Sequence, residues 1–295
     1  MVVQNDPNGF RGPLLLIAGM FCFALMDSLT VFLFNEISLV QLLTIRYWLF
    51  LLFALIYSHY TVGIITAFKT SRLKFQITRS LIALAEVGVF LLGLKFLALN
   101  EAHALLAIFP LVTILLGVFF LREKIGRIAL TGVLIGFLGA LIILKPGAGV
   151  FSVAATLPLM AALLFAIYQI MTRFVTTFDS YPTTLLYTAV TGAIISTIFV
   201  IPNWSQTSIL NWILIIVMGS LGVAAQWFVI SALHNSAASQ LQPFNYSLLL
   251  FATALGYLLF DQVPTITTVI GAFAIALGGL IAILGDRRPR LVVTP

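Results

Sequence analysis

Three ionisable side chains, Asp27, Arg46 and Glu86, lie inside stretches that are otherwise apolar. A charge in lipid is costly, so such residues face a bundle interior or an aqueous cavity and mark substrate or ion paths. The chemistry they offer is recognition of an opposite charge or carriage of a proton. Asp27 sits just past the middle of the first apolar stretch and reads either as a counter-ion for a substrate cation or as a hydrated carboxylate near an outer mouth. Arg46 and Glu86 are open to two readings, an internal ion pair joining helices or direct substrate contacts. His103 joins Asp27 and Glu86 as a candidate proton carrier. Enzyme chemistry is not indicated, because His59, His103 and His234 are far apart at the ends of apolar stretches and no HExxH motif occurs. Arg46 is the one deep cation, too few for phosphorylated substrates, whose phosphates need several basic partners.

A second group is aromatic. Tyr168, Trp227 and Tyr246 lie within apolar stretches, each beside an amide, Gln169, Gln226 or Asn245. Rings of this kind can stack on an aromatic substrate while the amides fix its polar end. Trp48, Tyr57, Tyr60, Trp204 and Trp212 read instead as membrane-interface residues. The run Phe23-Ala24-Leu25-Met26-Asp27 is echoed by Phe165-Ala166-Ile167-Tyr168-Gln169, so one copy offers charge where the other offers hydrogen bonds. The candidate substrate-binding set is therefore Asp27, Glu86, Tyr168, Gln169, Gln226, Trp227, Asn245 and Tyr246. No cofactor is implied.

These residues must be held by membrane helices. Hydrophobic residues make up 61% of the 295 and charged residues 8%, with a mean hydropathy of +1.15, against about 25% charged in soluble domains. A spanning helix needs about 20 apolar residues. The chain accommodates ten spans, at residues 13–34, 39–60, 77–99, 102–121, 128–144, 154–172, 182–201, 209–233, 241–260 and 266–284. The first is longer than a signal-peptide core and reads as a retained helix. The net charge of +6 does not point to nucleic acid, since the basic residues flank the spans. Cys22 is the only cysteine, so no intrachain disulfide forms.

The chain is a duplication. Gly117, Gly132 and Gly139 in residues 96–144 recur as Gly256, Gly271 and Gly278 in residues 231–283, at a constant offset of 139. Between Ala98-Leu99 and Gly117 there are five fewer residues than between Ala232-Leu233 and Gly256, which puts extra chain near residues 236–243. With a cytoplasmic N-terminus, twelve Lys and Arg residues from Arg11 to Arg290, Arg79 among them, fall inside, and only Lys95 and Lys145 outside. That bias places both termini in the cytoplasm. Five spans per copy is odd, so the second copy enters the membrane inverted, the architecture of many secondary transporters with a site between the halves.

The expected organisation is a cytoplasmic tail at 1–12, a first repeat at 13–145, a linker at 146–153 built on Pro146-Gly147-Ala148-Gly149, a second repeat at 154–284 and a cytoplasmic tail at 285–295. Pro110 predicts a bend in the fourth span, read as a packing kink with gating as the second reading. Pro243 begins an unusually polar entry to the ninth, where it pre-sets an early helical turn or belongs to a gate. Gly132, Gly136, Gly271, Gly278 and Gly279 give the fifth and tenth spans small faces for close packing.

Ala98-Leu99, Pro110 and Leu121-Arg122-Glu123 before a glycine-spaced helix, repeated in weaker form, resemble the EamA-type module of the drug/metabolite transporter superfamily over nearly the whole chain. The sequence looks most like ten-helix bacterial exporters of amino acids, in particular the aromatic amino acid exporters. That resemblance implies an all-α protein of two inverted five-helix repeats in the bacterial inner membrane. It implies a central cavity lined mainly by the first, third, fourth, sixth, eighth and ninth helices, with the fifth and tenth paired away from it, and amino acids or aromatic metabolites as substrates. A polyspecific, proton-coupled drug or metabolite extruder is the alternative. Glu123 matches the family's acid after the fourth helix, but its counterpart is Gln262, preceded by Asp261.

Overall fold

The computed structural model describes residues 10–285 apart from 35, 111, 114–115, 117–119, 121–125, 145–152, 236–241 and 264. The apolar stretches fold as helices because, in lipid, backbone N–H and C=O groups must pair within the segment. They are α1 (Arg11–Leu33), α2 (Leu39–Thr61), the single turn α3 (Ile64–Ala67), α4 (Leu73–Gly93), α5 (Leu99–Leu106), α6 (Arg127–Leu144), α7 (Val153–Val175), α8 (Tyr181–Val200), α9 (Ile209–Asn235), α10 (Ser247–Phe260) and α11 (Ile266–Gly285). No strand occurs among the described residues. Among the described residues six helices are long and apolar enough to cross a membrane, lying within α1, α2, α4, α7, α8 and α9; shorter apolar segments are Leu130–Gly139, Phe244–Phe260 and Val269–Gly278.

Local chemistry sets several boundaries. Ser38 accepts a hydrogen bond from the Gln41 N–H and starts α2, and Ser180 does the same for Thr183 ahead of Pro182 in α8. α2 ends before Gly63, whose φ of 80° suits a residue without a Cβ. α5 stops at Leu106, four residues before Pro110, whose ring would strike that carbonyl and whose nitrogen has no hydrogen to offer it. A tighter contact follows, from the Ile108 N–H to the Leu105 carbonyl. The polar entry to the ninth span forms a 3-10 helix, Gln242–Tyr246, before α10 begins. The hinge at 146–149, Glu123 and both expected tails up to residue 9 and from 286 lie outside the described residues.

Helix contacts come in matched sets. With α1, α2, α4, α5 and α6 taken in order against α7, α8, α9, α10 and α11, α1 packs on α9 as α7 packs on α4. α1 also meets α10 as α7 meets α5, and α9 meets α2 as α4 meets α8. The pairs α2–α8, α5–α10 and α6–α11 map onto themselves. The connections meet across the two groups at opposite ends. Asp179, between α7 and α8, accepts hydrogen bonds from the Thr70 hydroxyl and the Ser71 N–H ahead of α4. At the other end Gln41 exchanges hydrogen bonds with Ser205, and Glu36 accepts from the Asn211 side chain.

Glycine governs the closest approaches. A Cβ on Gly278 of α11 would land on backbone atoms of Gly132 and Gly136 in α6, and one on Gly192 of α8 would stand 2.1 Å from the Tyr47 ring of α2.

Candidate functional site

The matched helices enclose a cavity of about 200 Å3 between the two groups. Each helix contributes a stripe at helical spacing. α4 presents Ala83, Glu86, Val87 and Phe90; α9 presents Gly219, Gly222, Val223 and Gln226; α7 presents Phe165 and Tyr168; α1 presents Met20, Phe23, Met26 and Asp27. His103 and Leu106 reach it from α5, and Phe109 from just beyond the break at Leu106. Among the described residues, none of its lining comes from α6 or α11. α2 adds Arg46, Tyr47 and Phe50, a contribution the family resemblance did not include.

Four ionisable groups share this space. Asp27 and His103 are 5% and 2% exposed, and Asp27 Oδ2 lies 3.3 Å from His103 Nε2. It is the one acid–base contact within 4 Å among the described residues, an ion pair when the imidazole is protonated. Neither imidazole nitrogen of His103 has a hydrogen bond of good geometry there, and the Phe90 ring centroid lies 5.0 Å from the imidazole. Arg46 and Glu86 both line the cavity without bridging each other, so the ion-pair reading of these two is not met in this conformation. Arg46 runs past Gly222 of α9, where a Cβ would stand 3.9 Å from its Nε and 2.9 Å from Met26 Sδ. Aromatic rings from α1, α2, α4 and α7 surround these charges; Phe109 and Phe165 meet edge to face at 4.8 Å.

Of the eight candidate residues, the cavity gathers Asp27, Glu86, Tyr168, Gln226 and Asn245. Gln226 is also a hydrogen-bond partner of Tyr181. Trp227 does not reach the cavity: it is 45% exposed with its ring against Phe228. One residue along a helix is about 100° round it, and that rotation carries Trp227 off the stripe of Gln226. Gln169 is displaced in the same way from Tyr168 and is half-buried outside the lining. Tyr246 is buried, but in a cluster with Ala104, Ala107 and Leu249, its hydroxyl turned toward Gly136 of α6. Sequence reasoning left Arg46 open between an ion pair and a substrate contact, read His103 only as a proton carrier, and left Thr188 aside.

The largest omission is Arg79. Counted above among the basic residues flanking the spans, it is fully buried. Its guanidinium donates to the Thr184 carbonyl at 2.7 Å, Thr188 Oγ1 at 2.8 Å, Gln76 Oε1 at 3.1 Å and Thr172 Oγ1 at 3.2 Å. It lies 5.2 Å from the centroid of the Tyr168 ring. A signal existed in the sequence: Arg79, Ala83, Glu86, Val87 and Phe90 lie on one helical stripe.

A family model described as the EamA-like transporter family matches residues 10–145 and, separately, 152–284. The chain belongs to that family. It is a multi-pass membrane transporter, not an enzyme. Among its relatives, a riboflavin transporter of Vibrio cholerae is 27% identical over 281 residues, covering 94% of this chain and 93% of the relative. A riboflavin transporter of Brucella anthropi is 30% identical over 206 residues, 68% of this chain and 72% of the relative. An S-adenosylmethionine uptake transporter of Rickettsia prowazekii is 27% identical over 222 residues, 75% of this chain and 76% of the relative. These names concern vitamin and nucleoside-sulfonium transport, and give the narrower likeness to aromatic amino acid exporters no support. A crystal structure of a protein 16% identical superposes with a TM-score of 0.70, over 95% of this chain and 98% of that one, and shares the fold.

Proposed function

We propose that this chain is a secondary transporter that moves a small metabolite, bearing a flat aromatic ring and polar groups, by alternating access through the central cavity. Ten crossings in two inverted five-helix halves, with both termini cytoplasmic in a bacterial inner membrane, is the topology we assign. The paired exchange of helix contacts and the direction of the basic residues support it. The observation that carries the substrate reading is the cavity lining, where Asp27, Arg46, Glu86 and His103 stand among aromatic rings with Gln226 and Asn245 nearby.

Riboflavin is the first candidate. Its ring system suits stacking against Phe165 and Tyr168, and its hydroxyls suit the two amides. The two riboflavin-transporter relatives favour the same choice. At about 200 Å3 the cavity is below the roughly 300–1,000 Å3 usual for ligand sites, so a ligand of that size binds a wider state. A second reading, a zwitterionic aromatic metabolite such as an aromatic amino acid or S-adenosylmethionine, is favoured by Arg46 and Glu86. In one cavity and not bridged to each other, they suit a carboxylate and an ammonium group respectively.

The test is uptake into proteoliposomes of purified protein, comparing labelled riboflavin, S-adenosylmethionine, phenylalanine and tryptophan with and without a pH gradient. Saturable riboflavin uptake supports the first reading. Uptake of the zwitterions alone moves the assignment to the second. Transport of none, in vesicles holding folded protein, leaves the drug or metabolite extruder.

A further inference from the structure

Three helices that line the cavity each carry, one turn beyond their last lining residue, a group that converges on a single point. On α4 that group is Arg79, one turn from Ala83; on α7 it is Thr172, one turn from Tyr168; on α8 it is Thr184, one turn from Thr188. We propose that Arg79 is the latch that closes the cavity toward the face carrying Lys69, Arg72 and Lys74. The inference rests on the alternating-access reading above.

The partners of Arg79 explain why a latch fits better than a permanent strut. Its hydrogen bonds go to hydroxyls, an amide and a peptide carbonyl, and its Nε has no partner among the described residues. No carboxylate stands within 4 Å of it there. The nearest acid in the network, Asp179, is one side chain away, accepting from Gln76 Nε2 at 2.8 Å. A buried cation held by neutral dipoles and one ring, with no carboxylate beside it, is weakly compensated, so the closed state is held by only a small surplus of those contacts. The arrangement makes sense if burial is temporary. Widening the cavity toward this face must part α4 from α7 and α8, which breaks the bonds to Thr172, Thr184 and Thr188 together and returns the guanidinium to water. The free energy regained by hydrating the charge offsets the hydrogen bonds lost, so the closed and open states stay close in energy.

Tyr168 and Thr188 connect this latch to the site. Both line the cavity, and both touch Arg79 from the other side. A ligand that stacks on Tyr168 or bonds Thr188 therefore competes with Arg79 for the same groups. Arg79 is a positioning residue, acting through these two.

The experiment reads accessibility, so it needs no substrate. Cys22 is the only cysteine, so Cys22→Ala gives a cysteine-free background. Ala83→Cys, 6% exposed in the cavity lining, reports access, and a separate Lys69→Cys protein marks the face in intact cells and inverted vesicles. In the presence of Arg79, a membrane-impermeant maleimide should label Ala83→Cys slowly from the Lys69 face. Adding Arg79→Gln, whose short amide cannot bridge to Thr172, Thr184 and Thr188 together, should raise that rate about tenfold, equivalent to the net loss of one charge-assisted hydrogen bond, with no rise from the opposite face. An unchanged rate in monodisperse protein overturns the latch. If Arg79→Gln does not yield monodisperse protein, Thr188→Val, which keeps Arg79 and its other partners, decides: a faster rate sustains the latch and an unchanged one overturns it. A labelling shift without transport of any tested metabolite would instead count against the substrate reading alone.

Discussion

Asp27 on α1 and His103 on α5 face each other at 3.3 Å across the cavity wall, both nearly excluded from solvent. Removing one member leaves the other buried without its partner, at a cost of about 1–3 kcal/mol. Asp27→Asn and His103→Gln should each lower the thermal midpoint of purified protein. Asp27→Asn should also reduce the initial transport rate by at least about tenfold, as expected when a buried charged contact of about 1.5–3 kcal/mol is lost. In the double variant neither partner is left stranded, so its stability should lie above the sum of the single losses. Strict additivity would mean that the two side chains do not act as a pair.

Tyr47 and Gly192 give a second prediction. The Tyr47 ring, which lines the cavity, lies 2.1 Å from where a Cβ on Gly192 would stand, at the α2–α8 contact. Gly192→Ala must push the ring into the cavity or the helices apart. Overpacking of this kind costs about 1–3 kcal/mol. We expect a lower thermal midpoint and weaker apparent substrate affinity together, and Gly192→Ala with Tyr47→Leu should recover much of the stability. A Gly192→Ala protein with both quantities unchanged would place the ring elsewhere.

Much of this arrangement was legible in the sequence because lipid imposes strong rules. Apolar length marked the helices, and the 139-residue offset marked two copies. Asp27 and Glu86 stood out as charges where charges are costly, and both line the cavity. The angular position of neighbours was not legible, because an apolar all-round helix has no polar face to fix its rotation. Trp227 and Gln169 were therefore assigned beside Gln226 and Tyr168 although each turns about 100° away. Arg79 escaped for a different reason. A basic residue six positions into a helix reads as an interface anchor, and only the hydroxyls and carbonyl from α7 and α8, about a hundred residues away in sequence, reveal that it is enclosed.

That rotation yields a discriminating pair. Trp227 is 45% exposed and contacts Phe228, whereas Tyr168 lines the cavity and faces Arg79. Trp227→Ala should leave the transport rate within about twofold of the parent, in keeping with the small effects of substitutions away from packed or functional features. Tyr168→Leu keeps the apolar bulk but removes the ring and its hydroxyl, and should weaken apparent affinity for an aromatic substrate several-fold, since aromatic contacts contribute about 0.5–1.5 kcal/mol beyond burial. The reverse ranking in a proteoliposome assay would move the site toward the lipid-facing side of α9.

The α6–α11 contact gives the last prediction. Among the described residues neither helix contributes to the cavity lining, so an effect of separating them is expected to reach transport through the scaffold. A Cβ on Gly278 would meet the Gly132 carbonyl oxygen and the Gly136 nitrogen, both backbone atoms that cannot rotate aside. In lipid no hydrophobic force draws helices together, and close backbone approach through small residues supplies the packing that does. Gly278→Ala must therefore move α11 outward along its contact with α6, and Gly278→Leu must move it further. Folded yield should fall from glycine to alanine to leucine, while the apparent affinity of the protein that does fold stays near that of the parent. A loss of affinity at unchanged yield would instead show that α6 and α11 act on the cavity directly, through the Tyr246 hydroxyl that reaches toward Gly136.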